Sequence, residues 1–480
     1  MSSHRDALIS PISSANKLDK TLKLKEMNHD ILCLAMAAAA ETSAATVSAM
    51  MRTCRDLYHE GPRVLLAMDI PLQTPAHFVS YAAFVQSHSG ERTSLVKFLH
   101  LSPADSITLD LIERIAALIR AMANIECMHL DDINGYPDLC AAIAMRSSIK
   151  HLAIANVGKE TYRMLGDLRS QLHTLRVDSQ THFMYTSDVL PAVLTHSSET
   201  LRRFEAAHIW IDPPPPSSRS FSRVHSLVLS DSQRVSWTAM SLGTGMDYFP
   251  HLQRLRAYFA HGHSPYSRAQ ERAENQLAQD ETGLWRSLRE VQGSAEALYT
   301  LGLRCQCEAL HVVVSRDEIV EDLPLIFADI APLRLTLALD SRYGTRLTMD
   351  GYRGVLVALL RARSLAPRLQ DVCIVFGIEL HNLSARENVQ RNLDLVVEIV
   401  QELALASFTI ELYPTNLIST ETTLTAADVE VIEDLNLSCS GITGDRVRFS
   451  LISPEHYNTP ADGPFKLCPA LWQSRWTLTD

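Results

Sequence analysis

Cys54 stands between Arg52 and Arg55, with His59 five positions on, in the stretch MMRTCRDLYHEG from Met50 to Gly61. A thiol among cations can act as a low-pKa nucleophile when a base lies within hydrogen-bond reach. At 3.6 residues per turn, five residues rotate about 140° around a helix, so His59 would not face Cys54. Helical spacing gives a plainer reading. Val47, Met50, Met51, Cys54, Leu57 and Tyr58 recur at steps of three and four, one apolar stripe of an amphipathic helix. Arg52, Arg55, Asp56 and His59 fall on the other side, and Gly61-Pro62 should stop the helix. Cys54 is then a small core residue, and a buried thiol is inert.

The other candidate groups point the same way. Cys305 and Cys307 form a CxC, but no second Cys or His pair follows at zinc-site spacing, so both read as strand residues. GTGMDYFP, residues 243 to 250, contains a GxG without a third glycine in a strand–helix context. No GxSxG, phosphate-cradling glycine loop or HExxH occurs. The expectation is a protein that is not an enzyme and holds neither a cofactor nor a metal.

Composition narrows the partners. The 480 residues carry 44 Lys and Arg against 55 Asp and Glu, a net charge of −11, which argues against a general nucleic-acid binder. The nine cysteines are odd in number and scattered, which suits a reducing compartment, cytoplasmic or nuclear. ILCLAMAAAA, residues 31 to 40, is too short to span a bilayer. Glu26, His29 and Asp30 stand against it, unlike the flank of a signal peptide, so no membrane association is expected.

These residues must be positioned by elements that the pattern reveals. Residues 1–24, rich in Ser, Lys and Asp, read as a disordered lead-in. Residues 25–66 read as a helical module, with Asn28 as a helix cap and Ile31, Leu32, Ala35 and Met36 on one face. Residues 67–94 read as a linker helix. From residue 95 a short signature recurs: apolar, two residues, apolar, one residue, apolar. It appears as VKFLHL, IECMHL, IKHLAI, LHTLRV, LRRFEA, VHSLVL and LQRLRA, starting at Val96, Ile125, Ile149, Leu172, Leu201, Val224 and Leu252. Helix-like segments such as SITLDLIERIAALIRAMAN, 106 to 124, lie between. The spacing and signature resemble leucine-rich repeats. The fold class expected is α/β: a solenoid over 95–439 with parallel strands on its concave side and helices on its convex side. Later rungs start near Cys307, Leu333, Leu369 and Leu405. The polar run 261–287 reads as an insertion, the prolines at 213–216 as an edge loop, and 440–480 as a C-terminal cap.

Strand side chains alternate with period two, so third and fifth signature positions share the face opposite the core. They place His100, His129, His151, Arg176, Arg203, Arg254 and Arg256 on successive rungs. One reading is a surface for an acidic or phosphorylated partner, with arginine giving bidentate contacts. The other is a solvated polar face without a ligand. A metal held by His100, His129 and His151 lacks a placed carboxylate or thiolate ligand.

The module, MNHDILCLAMAAAAETSAATVSAMMRTCRDLYHEGPRVLL from Met27 to Leu66, resembles an F-box, most closely the degenerate F-box-like proteins of fungi. The likeness lies in the opening MNHDIL, the closing MRTCRDLY and the GPRVLL that follows. The resemblance implies a three-helix module that docks on the adaptor subunit of an SCF-type ubiquitin ligase, with the repeats binding the protein to be ubiquitylated. Carried over residue by residue, it implies an adaptor-facing set of Met27, Ile31, Leu32, Met36, Val47 and Met51. The alternative is a stand-alone leucine-rich-repeat interaction scaffold, with helices that only cap the solenoid.

Overall fold

The structure, a computed structural model, describes residues 29–40, 43–103, 107–179, 193, 195–208, 220–231, 242–259, 265–283, 285–315, 317–339, 349–362, 368–378, 405–414 and 447–451. The expected lead-in 1–24, Met27, the prolines 213–216 and residues 452–480 of the expected cap lie outside them.

Three helices come first: α1 (His29–Ala40), α2 (Ala44–Met51) and α3 (Arg55–Leu65). The stripe expected in one helix is split between two. Helix α2 ends at Met51, and Cys54 takes extended backbone, φ −152° and ψ 164°, as the residue that opens α3. Ser43 opens α2, its hydroxyl accepting from the Thr46 amide. Gly61-Pro62 does not stop α3; both residues are buried inside it. Packing explains the glycine, since a Cβ there would stand 2.1 Å from Met51 Cγ. Leu32, Met36, Val47, Met51 and Leu57 form a small core distinct from the main one.

Beyond them, the described residues form an α/β stack on one open sheet of 14 strands, each hydrogen-bonded to the next in chain order. The strands are β1 (Pro71–Leu72), β2 (Phe98–Leu101), β3 (Cys127–Asp131), β4 (His151–Ala155), β5 (Thr174–Asp178), β6 (Arg203–Ala207) and β7 (Ser226–Asp231). Then come β8 (Arg254–Phe259), β9 (Ser287–Ser294), β10 (Gln306–Val314), β11 (Pro332–Leu339), β12 (Asp371–Ile378), β13 (Ser407–Pro414) and β14 (Val447–Leu451). Every pairing is parallel. First, fourth and sixth signature positions are buried, as at Val96, Leu99 and Leu101 or Ile149, Leu152 and Ile154. They form one continuous core with the connecting helices, filled at its centre by Phe204, Phe221, Tyr248 and Phe249. No helix among the described residues is long and apolar enough to cross a membrane.

Three strands and one helix escape the sequence pattern. Residues 67–94, read as a linker helix, contain β1 before the helix α4 (Pro75–Gln86). Ala67, Ile70 and Leu72 fit the signature, but Pro71 disguises the strand. Proline is tolerated there because β1 is the edge strand. Strand β9 follows Leu288-Arg-Glu-Val-Gln-Gly, whose sixth position is Gly293 rather than an apolar residue. The polar run 261–287 is not an insertion. Its helix, Pro265–Thr282, connects β8 to β9 and packs beside its neighbours through a polar stripe. Asn275 accepts from the Leu242 amide at 3.0 Å and donates to the Thr300 carbonyl at 3.1 Å. Gln279 bonds both the amide and the carbonyl of Arg304, and Arg272 pairs with Asp329. Hydrogen bonds replace the apolar stripe, so hydrophobic periodicity is silent. Strand β14 likewise makes part of the expected cap a further rung.

Gly293 marks a close approach of two strands, because a Cβ on it would lie 2.2 Å from the Ala257 carbonyl oxygen of β8. Backbone cannot yield as a side-chain tip can. Gly293→Ala is expected to lower stability by about 1–3 kcal/mol, the usual cost of overpacking, seen as a reduced Tm in calorimetry. An unchanged Tm would mean that β8 and β9 do not pair this closely.

Candidate interaction face

Parallel register converts signature positions into rows. The fifth-position row runs Pro71, His100, His129, Ala153, Arg176, Glu205, Val228, Arg256, Gln292, His311 and Thr336. The third-position row beside it runs Phe98, Cys127, His151, Thr174, Arg203, Ser226, Arg254, Glu290, Ala309, Arg334 and Asp371. Neighbouring strands are about 4.8 Å apart, so residues roughly 25 to 35 positions apart in sequence become contacts. All seven residues named from the sequence for this face, His100, His129, His151, Arg176, Arg203, Arg254 and Arg256, lie in these two rows.

They gather into clusters rather than one basic patch. Glu205 in β6 accepts from Arg203 Nε at 2.6 Å, and Arg176 Nε lies 4.0 Å from its other oxygen. Glu290 in β9 accepts from Arg256 Nη2 at 2.9 Å, with Arg254 Nε at 3.9 Å. Two glutamates thus serve four arginines, which leaves a surplus of positive charge on the central strands. Burial alone would raise the Glu290 carboxyl, but Arg256 first, then His311 and Arg254, hold it below the usual carboxylate range.

The histidines behave differently. His151 is half-buried, its Nδ1 3.2 Å from the Thr174 hydroxyl and its ring 6.1 Å from that of His173. Burial, with help from His173 and Lys150, pushes His151 down to about 4, so it is neutral at pH 7. His100 and His129 sit side by side, ring centroids 5.3 Å apart, and converge on Asp69. Nδ1 of His100 is 2.7 Å from one Asp69 oxygen, and Nδ1 of His129 is 3.3 Å from the other. Burial would raise this carboxyl, but its hydrogen bonds and the charge of the two histidines outweigh that and hold it at about 2.

Asp69, Glu205 and Glu290 complete the clusters, and none was named for a site from the sequence. The signal for Asp69 is the third position of Ala-Met-Asp-Ile-Pro-Leu, 67 to 72, hidden by the proline. The buried thiols offer no nucleophile: burial lifts Cys127, Cys140 and Cys307 to about 12.

On the helical module, Leu32, Met36, Val47 and Met51 are buried in its own core, whereas Ile31 is 52% exposed and Leu34 70%. Four of the six residues expected to face an adaptor therefore face inward. An apolar groove of about 410 Å³, lined by Met51, Tyr58, Leu66, Leu72, Tyr81 and Phe84, runs between the module and α4.

Comparison with known proteins adds no assignment: no family model matches the chain, and no curated protein matches it.

The His151 environment has a signed consequence. Unfolded, its imidazole takes a proton as the pH falls through about 6.5; folded, it resists until about 4. The unfolded state binds more protons in that window, so His151 lowers stability as the pH drops from 6.5 to 4. His151→Gln should flatten that part of the Tm–pH curve relative to the wild type. Parallel curves would show that His151 titrates normally in the fold.

Proposed function

We propose that the protein is a non-catalytic F-box-like substrate receptor of an SCF-type ubiquitin ligase, working in the cytoplasm or nucleus. The helical module binds the adaptor, and the leucine-rich-repeat-like strands bind the target. One observation carries this reading: the three N-terminal helices have a core of their own yet leave Ile31 and Leu34 on the surface. Helices that merely cap a solenoid would turn their large apolar residues toward it. In this reading Leu32, Met36, Val47 and Met51 hold the helices together, and adaptor contact falls to the exposed side of α1. The surplus of arginine over glutamate on β5, β6 and β8 suits an acidic or phosphorylated target, since arginine makes bidentate contacts to carboxylate and phosphate.

The stand-alone interaction scaffold is the second reading. It is favoured by the inward turn of four of the six adaptor-facing residues and by the arginines being satisfied within the sheet.

The full chain, mixed with a purified SCF adaptor, should form a complex that survives gel filtration. The double variant Ile31→Asp, Leu34→Asp should lose at least tenfold in affinity with an unchanged Tm. A folded wild-type chain that does not bind the adaptor would sink the receptor reading and leave the scaffold.

A further inference from the structure

We propose that Asp69, His100 and His129 form a binding site for a divalent transition ion of the zinc class, at the junction between the helical module and the repeat strands. The inference is independent of the receptor reading.

Three unrelated segments build the site. His100 and His129 are direct partners in the β2–β3 register, so their imidazoles rise from the same face on adjacent strands. Asp69 lies two residues before Pro71, which pairs with His100. Its contacts with both rings put the carboxylate on that face, beside His100 and His129. One ligand atom from each of the three residues can be chosen so that all lie within 4.8 Å of one another. Zinc bonds to nitrogen and oxygen of about 2.0–2.2 Å, at tetrahedral angles, separate donor atoms by about 3.3 Å. Nδ1 of His129 already lies 3.3 Å from one Asp69 oxygen, and Nδ1 of His100 lies 2.7 Å from the other, so a small opening and turn of the carboxylate would seat the ion among the three side chains.

Chemistry and access fit as well. Two imidazoles and one carboxylate suit zinc, iron, cobalt and nickel better than magnesium or calcium, which take oxygen ligands. The carboxylate side chain is 7% exposed, and the rings are 21% and 14% exposed, so the ligands are held yet reachable from solvent. Phe98 stands edge-on to the His129 ring at 4.8 Å and limits its rotation. To coordinate through Nδ1, a neutral imidazole carries its proton on Nε2 and so gives up its Nδ1–H hydrogen bond to the Asp69 carboxylate. An imidazolium would release one proton instead. Three protein ligands leave the remaining coordination to water. The ion would cross-link the segment that leaves the module to strands β2 and β3.

The test uses the full-length untagged chain, stripped with a chelator and incubated with tenfold zinc chloride. After gel filtration, metal is measured by mass spectrometry. The wild type should retain about one equivalent, and zinc should raise its Tm. Asp69→Asn and His129→Gln should retain less than a tenth as much and show no Tm rise. Cobalt(II) reports the geometry without any variant: visible d–d bands that zinc abolishes are expected in the wild type. Absence of retained zinc in the wild type, equal retention in a folded Asp69→Asn, or absence of those cobalt bands would each overturn the site.

Discussion

The main core and both faces of the sheet depend on the in-register parallel pairing of successive strands. The strands are short, and each finds its hydrogen-bond partners on the preceding and following rung. The carbonyls of Lys97, Glu126, Lys150, His173, Arg202, His225 and Gln253, all at the second signature position, each accept from two amides of the next rung. That staircase fixes register before any side chain is considered. A slip of one residue would turn Leu99, Met128 and Leu152 out to solvent and the histidines into the core. Register is therefore enforced twice, by the backbone and by burial.

The rows that follow from this register set the electrostatics of the free face. A partly buried charge is costly unless it is paired, and the nearest source of a partner is the adjoining rung. Glu205 serves arginines on its own strand and on β5; Glu290 serves two on β8. Asp69 does the same for two histidines at the start of the sheet. At the far ends of the strands the device changes but the logic holds. Asn156 and Ser102 bond Asp131, and His208 bonds Asp178 at 2.9 Å, with Asn156 and His208 in left-handed backbone that turns the chain out of its strand. The face is thus a set of local, self-neutralising clusters with a modest excess of arginine.

The helical module answers to a different constraint. Five of the twelve residues of its first helix are alanine, and Leu32 and Met36 supply the deep contacts while Ile31 and Leu34 stay on the surface. Helices α2 and α3 meet closely because Gly61 leaves room for Met51. The module's core is separate from the main one, and an apolar groove lies beside α4. The link between the two bodies of packing is the segment before β1, where Asp69 sits.

Much of the architecture was present in the sequence, since apolar spacing is a local property and survives without coordinates. The seven leucine-patterned segments from Val96 to Leu252 all became strands, and the two-residue alternation placed His100, His129, His151, Arg176, Arg203, Arg254 and Arg256 on one face. Where a non-apolar contact takes over, the pattern fails. Pro71 at an edge, Gly293 against a backbone carbonyl and the hydrogen-bonded stripe of Asn275 and Gln279 all read as interruptions. The break between Met51 and Cys54 escaped for a similar reason, because the apolar steps continue across it. Which strand residues face the core and which face away follows from local alternation along the chain. Which of the outward residues meet was decided only by the tertiary structure, because contact across rungs depends on the length of every connecting loop and helix. That is why Asp69 and His129, sixty positions apart, could be brought together only by the folded sheet.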